Sequence, residues 1–286
     1  MPVIDAHVHV WTQDPARYPF QPLDDLPPPD DARTPADLAA DLAVDCAAEP
    51  VGGVLLIQPR VYGYDHRYVY SAAQAMAGRA RVMPLIDGNR PNAARTLREH
   101  ARSSLTAGFR VIALGRFCAE WLCSAAASLL WQGGAGLGLP VGFLVDPNQL
   151  PFVSPVAESH PRLTIVIDHL ARCGGTQLAE WTAPLCALVQ RPNVYVKVSA
   201  LDALSGSRFP HRDMWPLVRA VHDAGGARKL LWGSDWPHSA AYGGYGDTRA
   251  AIAQALADAS AADLDAIFGA TAAQLFGFDR TPRWQE

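Results

Sequence analysis

The 286-residue sequence predicts an α/β protein, and within that class a (β/α)8 TIM barrel that forms a single domain over residues 1–286. Short β-rich apolar runs alternate with helical patterns along the chain, which predicts a parallel sheet. Most of these runs are apolar at nearly every position, as expected for strands buried on both faces. Eight strand–helix units in about 250 residues match the size of such a barrel. A doubly wound open sheet is the alternative, because a count of strands does not prove closure.

Eight runs are the predicted strands: Val3–Val10, Val51–Gln58, Arg81–Asp87, Phe109–Leu114, Pro140–Val145, Leu163–His169, Val194–Ser199 and Lys229–Asp235. The third is weakened by Pro84, which has no N–H for a sheet ladder. The predicted helices are Thr34–Ala48, Arg67–Met76, Ala93–Thr106, Cys118–Trp131, Pro151–Ser159, Leu178–Gln190, Asp213–Ala224, Thr248–Asp258 and Ala261–Phe276. Residues 14–35 are rich in Pro and Asp, which predicts an irregular loop over the C-terminal face of the barrel.

Composition excludes several classes of function. The chain has 24 basic and 28 acidic residues, so no strong field for nucleic acid or an anionic membrane is expected. Its five cysteines form no CxxC pair, which argues against a disulfide framework or a structural zinc site. No signal peptide and no apolar run of membrane-spanning length is visible, so a cytoplasmic protein is expected. The sequence leaves open whether the protein forms a homo-oligomer.

Chemistry-bearing side chains stand at the ends of three predicted strands. Strand one ends in Asp5-Ala6-His7-Val8-His9, strand six in Asp168-His169 and strand eight in Gly233-Ser234-Asp235. Residues two apart on a strand share a face, so His7 and His9 are expected to point together. Catalytic groups of a barrel sit where strands end, and a His-x-His pair alone is a weak signal. The three strand ends together predict an active site.

The same set predicts a metal centre. Imidazole nitrogen and carboxylate oxygen suit zinc and similar divalent ions. We therefore expect one divalent metal ion, with Zn²⁺ favoured, at His7, His9, His169 and Asp235. A bound cation lowers the pKa of its water towards about 7, and Asp235 can accept that water's proton. Asp235 and His169 are the predicted catalytic residues.

Other residues near strand ends are candidate substrate contacts: Gln58, Arg110, Arg172, Lys197, Trp236 and His238. A charged side chain in a buried strand is costly unless it is paired or functional. Arg110 and Lys197 could bind a substrate carboxylate or hydroxyl group, or could instead pair with an acid inside the barrel. Trp236 fits packing equally well. His211 follows strand seven and could overhang the site.

Several other features carry no function in this interpretation. His66, His100, His160, His211 and His222 fall in predicted loops or helices and are expected to be solvated. The glycine cluster at 133–138 precedes a strand instead of joining a strand to a helix, so it is not a dinucleotide fingerprint. No Walker loop or GxSxG elbow is present, and no nucleotide cofactor is expected.

The sequence resembles the amidohydrolase superfamily, and more narrowly the amidohydrolase-2 group that includes pyrone dicarboxylate lactonases and sugar-acid lactonases. The matching stretches, spread over nearly the whole chain, are IDAHVHVW at 4–11, LIQPRVYGYDHRYV at 56–69, GFRVIAL at 108–114, IVIDHLAR at 165–172, VYVKVSAL at 194–201 and LLWGSDWPH at 230–238. The resemblance implies a barrel hydrolase that opens a lactone ring with His7, His9, His169 and Asp235. It also implies Arg110 and Arg172 as contacts to an anionic substrate. Members of this group differ in whether they need a metal.

Two departures from the group pattern bear on the substrate. The pyrone dicarboxylate lactonase pattern has a tyrosine in strand five, where this chain has Gly142-Phe143-Leu144-Val145. That pattern also has an arginine after strand seven, where this chain has Ser199-Ala200-Leu201-Asp202. A different, less charged lactone is therefore expected. The alternative function is metal-dependent non-oxidative decarboxylation of an aromatic or unsaturated acid, a chemistry also found in this superfamily, and a non-catalytic binding protein is a third possibility.

Overall fold

A computed structural model describes residues 2–25, 27–46, 50–114, 119–241 and 244–279. It has eight parallel strands: β1 Val3–Val8, β2 Val51–Ile57, β3 Ala80–Met83, β4 Phe109–Ile112, β5 Val141–Leu144, β6 Ile165–Ile167, β7 Val194–Val198 and β8 Leu230–Trp232. Each lies within or nearly within one of the predicted runs, which confirms the strand prediction. The observed strands end one to four residues early, because the polar residues at their C-terminal ends already belong to loops.

The strands close into the predicted barrel. Strands β1 to β3 form one ladder and β4 to β8 another. A parallel bridge between Val8 and Trp236 joins β1 to the segment after β8, and a second between Leu85 and Arg110 joins the end of β3 to β4. Closure leaves the carboxyl ends of all eight strands around one mouth, so the open-sheet alternative is wrong.

The helices follow the predicted alternation: α1 Pro35–Asp45, α2 Arg67–Ala75, α3 Ala93–His100, α4 Ala125–Leu137, α5 Leu150–Ser159, α6 Leu178–Val189, α7 Leu201–Leu204, α8 Trp215–Gly225, α9 Asp247–Ala255, α10 Ala261–Asp265 and α11 Thr271–Phe276. The prediction starts the fourth helix at Cys118, which lies outside the described residues. The helix begins instead after Ser124, whose side chain accepts a hydrogen bond from the N–H of Ala127 and caps it. The short α7 was not predicted. None of the helices in the described ranges has the length and apolarity that a bilayer span requires.

Side chains divide the barrel into a closed bottom and a polar top. At the bottom, Ile4, Ala6 and Leu231 pack inside the barrel against Ala272 and Phe276 of α11. Above them the interior holds buried charged residues, namely Asp168, Lys197 and Arg110. Helix α11 therefore plugs one end of the barrel, and polar chemistry is confined to the other.

The irregular loop predicted at residues 14–35 has no regular helix or strand at 14–25 and 27–34, and helix α1 begins at its last residue, Pro35. The loop lies against the turn after β2. The N–H of Gln21 donates to the carbonyl of Val61 over 2.8 Å, and the N–H of Leu23 donates to the carbonyl of Arg60 over 3.2 Å. Asp24 forms an ion pair with Arg60. The loop thus packs against the turn that follows β2, and its position over the C-terminal face stays a prediction.

Candidate active site

The first strand and the loop after the last strand bring the predicted carboxylate to the predicted histidine pair. Oδ1 of Asp235 lies 3.6 Å from Nε2 of His7 and 3.6 Å from Nε2 of His9. The two imidazole Nε2 atoms are 3.2 Å apart. The N–H of Asp235 donates to the carbonyl of His7 over 2.9 Å, so the backbone itself fixes this approach. Asp235 has a φ of +59°, a strained conformation for a side-chain-bearing residue and one that recurs at active sites.

An irregularity in β1 aims the histidine pair into the barrel. The register of β1 against β2 shifts between Asp5 and Val8. Before the shift, Ile4 and Ala6 face the barrel interior, whereas Val8 after it packs in the layer between strands and helices. The extra residue reverses the alternation, so a bulge re-aims His7, as bulges beside active sites often do.

His9 is held in one tautomer. Its Nδ1 lies 3.0 Å from the carbonyl oxygen of Ile57, which can only accept a hydrogen bond. Nδ1 therefore carries the proton and Nε2 keeps a lone pair directed at the site. Burial and the nearby His238 hold the pKa of His9 well below its ordinary value, so the ring is neutral at physiological pH.

A buried group of charges lies behind His7. Asp168 accepts a hydrogen bond from Nε of Arg110 over 2.8 Å, and its other oxygen lies 3.1 Å from Nζ of Lys197. Nδ1 of His7 is 3.2 Å from Nζ of Lys197 and 3.6 Å from Oδ1 of Asp168. Burial alone would raise the pKa of Asp168, but the two cations outweigh it and hold that pKa well below its ordinary value. Burial and Lys197 keep the pKa of His7 well below its ordinary value.

His169 faces the same space from the end of β6. Its Nδ1 lies 2.9 Å from Oγ of Ser199, and its Nε2 lies 4.0 Å from Oδ1 of Asp235. Burial lowers the pKa of His169 to about 3, so it too is neutral. Residues 169–172 all have φ between 52° and 57°, a left-handed turn that costs about 1–2 kcal/mol per residue. Such stored strain is typical of a functional site.

Asp235 is the one carboxylate at the centre of the three imidazoles. Its side chain is 12% exposed, and its Oδ1 is buried without a hydrogen-bond partner among the described residues. Burial raises its pKa well above the ordinary value against the opposing charge of Arg110, and the charge of Asp202 raises it further. A carboxylate with a raised pKa is a stronger base, as a proton acceptor in catalysis requires.

Three of these side chains fit a divalent metal ion. Nε2 of His7, Nε2 of His9 and a carboxylate oxygen of Asp235 all lie within 4.8 Å of one another. Imidazole and carboxylate are the donors that zinc prefers. The unpartnered Oδ1 of Asp235 is the atom that an ion or a bound water would satisfy. His169, the fourth predicted ligand, lies beside this group and is not part of it.

Among the predicted substrate contacts, three are completely buried and have other partners. Lys197 lies behind His7, as described above. Gln58 donates through Nε2 to the carbonyls of Gly63 and Asp65 and so fastens the turn after β2. Trp236 packs inside and donates through Nε1 to Asp41 over 2.7 Å. These positions indicate supporting roles.

The other predicted contacts differ in access. Arg110 is only 3% exposed and is paired with Asp168. This is the alternative role that the sequence analysis gave Arg110, pairing with an acid inside the barrel. Arg172 is accessible at the mouth, with its side chain 44% exposed and 3.1 Å from Asp146. The ring centroid of His238 lies 5.4 Å from that of His9. Arg172 and His238 are thus the accessible members of this set.

Sequence reasoning missed several residues of the site. Asp168 pairs with the buried cations Arg110 and Lys197, whereas the sequence analysis gives it no role of its own. The available signal was an acidic residue directly before His169. Arg60 follows β2 and its pKa is lowered by burial, with Arg110 and Arg172 adding to the effect, so the three arginines share one region. Asp202 in α7 gave no sequence signal.

Two histidine predictions need correction. His66 was expected to be solvated, but it is 8% exposed and its Nε2 lies 2.9 Å from the carbonyl oxygen of Leu85. Burial and the nearby His100 lower the pKa of His66 to about 4. His211, which follows β7, was also expected to be solvated and is 5% exposed. Both lie in loops whose burial depends on tertiary packing and has no local pattern.

Known proteins are similar to this chain in sequence and in fold. A model of the amidohydrolase family, of the amidohydrolase-2 group, matches residues 4–278. The chain belongs to the amidohydrolase family. Over 255 residues, 87% of this chain and 85% of the relative, it is 31% identical to an L-fucono-1,5-lactonase of Burkholderia ambifaria. This amidohydrolase is thus similar in sequence to a lactone-hydrolysing enzyme along most of both chains.

Solved structures extend the likeness. A putative 2-pyrone-4,6-dicarboxylic acid hydrolase of Pseudomonas putida superposes with a TM-score of 0.81 and 28% identity, covering 98% of this chain and 99% of that one. An amidohydrolase of Burkholderia multivorans with bound zinc superposes with a TM-score of 0.79 and 25% sequence identity, covering 97% of this chain and 99% of that one. A 2,6-dihydroxybenzoate decarboxylase, with a TM-score of 0.59 and 13% sequence identity, resembles this amidohydrolase in fold alone. The lactone-hydrolysing relatives support a hydrolase, and the decarboxylase likeness is more distant.

Proposed function

We propose that this amidohydrolase opens a small lactone ring, with Asp235 as the acceptor of the proton of the attacking water. The observation that carries the proposal is the unpartnered, buried Oδ1 of Asp235, 3.6 Å from Nε2 of both His7 and His9. A water placed among these atoms would meet one base and several neutral imidazoles. The relatives named as acting on lactones support the same chemistry.

Each step follows from the charges of the described side chains. Asp235 takes a proton from water while the water oxygen bonds to the lactone carbonyl carbon. The carbonyl oxygen gains negative charge, which the arginines near the mouth, Arg60 and Arg172, are placed to attract. The ring C–O bond then breaks, and the leaving oxygen recovers the proton from Asp235. The product is an open-chain hydroxy acid, and atoms and charges balance.

We further propose that His7, His9 and Asp235 hold one Zn²⁺ ion, with His169 beside it. When bound, such an ion polarises a carbonyl and lowers the pKa of water. His9 is already in the tautomer that leaves Nε2 free for a metal. The tautomer of His7 is less suited to a metal. The Lys197 ammonium group lies 3.2 Å from Nδ1 of His7, which favours a lone pair on Nδ1 and a proton on Nε2. In that tautomer, Nε2 of His7 donates to Nε2 of His9 over 3.2 Å, so the two imidazoles satisfy each other and Oδ1 of Asp235 is left without a partner among the described residues.

Proton release on adding a panel of small lactones, followed with a pH indicator, tests the function. We expect turnover of at least one hydroxylated lactone, reduced at least about 1000-fold by Asp235→Asn, which keeps the shape and removes the base. Asp258→Asn, at an exposed aspartate, is the matched control. Wild-type turnover in Asp235→Asn would contradict the mechanism. Carbon dioxide release from an aromatic acid, without lactone turnover, would favour the decarboxylase alternative.

A further inference from the structure

Strands β3, β4 and β5 carry an apolar layer at their carboxyl ends. Leu85, Ile112 and Leu144 pack against one another in a cluster of their own. Val111 and Phe143, the residues directly before Ile112 and Leu144, belong instead to the core between the strands and the helices. Because side chains alternate along a strand, the three cluster residues face the other way, into the barrel. The proposed mechanism uses none of them.

Strand pairing supports this inward direction. Leu85 pairs with Arg110 between β3 and β4, and Ile112 pairs with Leu144 between β4 and β5. Residues that pair across a sheet point to the same face, and Arg110 reaches into the barrel to Asp168 over 2.8 Å. Ile112 is two residues beyond Arg110, so its side chain lies on the same face about 7 Å nearer the mouth.

The layer directly beneath this cluster reaches the histidine pair. Gly142 pairs with Arg110, and a Cβ on Gly142 would lie 3.8 Å from Oδ1 of Asp168. That oxygen is 3.6 Å from Nδ1 of His7. Leu144, two residues beyond Gly142, therefore stands one layer above the charged group that contacts His7. The apolar cluster and the candidate active site border the same space inside the barrel.

The two sides of the mouth differ in chemistry. His7 and Asp235 belong to β1 and to the segment after β8, whereas the cluster belongs to β3, β4 and β5. In a closed ring of eight strands, β4 and β5 lie across from β8 and β1. Ile112 and Leu144 are each 6% exposed, the same as His9, so the cluster is no more enclosed than the site. A lactone that reaches Asp235 would therefore meet the cluster with its other side.

Two further leucines border the cluster. Leu23 of the irregular loop and Leu114 after β4 are partly buried and pack against it. The N–H of Leu23 donates to the carbonyl of Arg60 over 3.2 Å, which holds this leucine in place. None of the five aliphatic side chains can form a hydrogen bond. A hydroxyl group placed against them would lose its hydrogen bonds to water, whereas burial of an alkyl group there is favourable.

We propose that Leu85, Ile112 and Leu144 bind an alkyl substituent on the substrate ring, so that the enzyme selects lactones that carry one. This inference rests on the proposed lactone hydrolysis. Each methylene group buried against the cluster should raise kcat/KM by about fourfold. Hydroxyl groups at other ring positions are compatible with this selection, because they would face the polar side of the mouth.

Two six-membered lactones provide the test: δ-octalactone carries a propyl group, and δ-valerolactone carries no substituent. Wild type should have a kcat/KM for δ-octalactone at least about 10-fold above that for δ-valerolactone. Leu144→Asn, which puts a polar group of similar size in the cluster, should lower this ratio at least about fivefold. The ratio cancels any loss of folded enzyme, since both substrates report on the same molecules. Leu129→Asn, at an exposed leucine of α4, is the matched control and should leave the ratio unchanged.

A milder variant covers the case in which Leu144→Asn does not fold. Ile112→Val removes one methylene group from the cluster and keeps it apolar. It should lower the ratio about two- to fourfold, because the propyl group loses part of its contact.

A binding measurement separates this inference from the proposed function. The probes for calorimetric titration are 2-propylcyclohexanone and cyclohexanone, which have a ring carbonyl but no ester bond to hydrolyse. Wild type should bind the propyl ketone more tightly, and Leu144→Asn should lose that preference. If wild type hydrolyses no lactone but shows this preference, the proposed function fails and the alkyl site stands. If lactones are hydrolysed but neither the substrate ratio nor ketone binding favours the propyl group, the proposed function stands and the inference is overturned.

Discussion

Asp5 in the first strand accepts a hydrogen bond 2.9 Å long from the backbone N–H of Ser234, in the loop after the last strand. The same oxygen accepts from the N–H of His7 over 3.0 Å, and the hydroxyl group of Tyr245 donates to the other oxygen. One buried carboxyl group thus fixes the backbone of the histidine pair and of the segment that carries Asp235. The geometry of the candidate active site therefore depends on a buried residue behind it.

Removing this carboxyl group should weaken both fold and catalysis. Asp5→Ala leaves three buried donors without an acceptor, so we expect the free energy of unfolding to fall by about 3 kcal/mol. Asp5→Asn keeps one acceptor oxygen and should lose less than Asp5→Ala. Urea unfolding followed by fluorescence measures both. Equal stability of Asp5→Ala and wild type would contradict the role given to Asp5.

The ammonium group of Lys197 should oppose metal binding. It lies 3.2 Å from Nδ1 of His7 and favours a proton on Nε2, the atom a metal would need. We expect Lys197→Gln to bind Zn²⁺ about tenfold more tightly, a typical effect of a residue behind a metal ligand. Competition with a chromophoric chelator measures this affinity.

The control for that experiment is Lys229→Gln, since Lys229 is the only other lysine in the chain and lies at the far end of β8. Asp168 keeps its hydrogen bond from Arg110 in Lys197→Gln, so the buried carboxylate stays paired. Unchanged or weaker zinc binding in Lys197→Gln would show that the lysine does not control the His7 tautomer.

The pH dependence of catalysis should report Asp235. Burial raises the pKa of its carboxyl group, and only the deprotonated form can accept a proton. We expect kcat/KM to fall about tenfold per pH unit below that pKa, starting well above the ordinary range of an aspartate. Initial rates between pH 4 and pH 9 measure the profile. Because the charge of Asp202 adds to the shift, Asp202→Asn should move the acid limb to lower pH; a limb that stays in place would count against this coupling.

His66 should make the fold sensitive to mild acid. Its pKa is about 4 in the folded protein and about 6.5 in the unfolded chain, so the unfolded state binds more protons between these values. Stability from this group is complete above pH 6.5 and falls as pH drops towards 4, by up to about 3 kcal/mol. Urea unfolding of wild type and His66→Gln at pH 7.5 and pH 5 measures the difference. A His66→Gln variant that loses as much stability in acid as wild type would rule out this contribution.

The barrel could be predicted from the sequence because each buried strand is a continuous apolar run, which is recognisable without knowing what it packs against. It also predicted the meeting of His7, His9 and Asp235, because parallel strands of a closed barrel end at one mouth. The bulge in β1 could not be predicted, since it exists only as a register shift against β2. The burial of His66 and the position of Asp202 depend on loop packing, which leaves no periodic pattern in the chain.

The seam between the first and last strands has a consequence for how function emerges during synthesis. His7 and His9 leave the ribosome more than two hundred residues before Asp235. Until the segment after the eighth strand docks, the proposed base Asp235 cannot reach the two histidines, and we expect no turnover. Under the proposed mechanism, turnover should be absent from any translation product that stops short of residue 235.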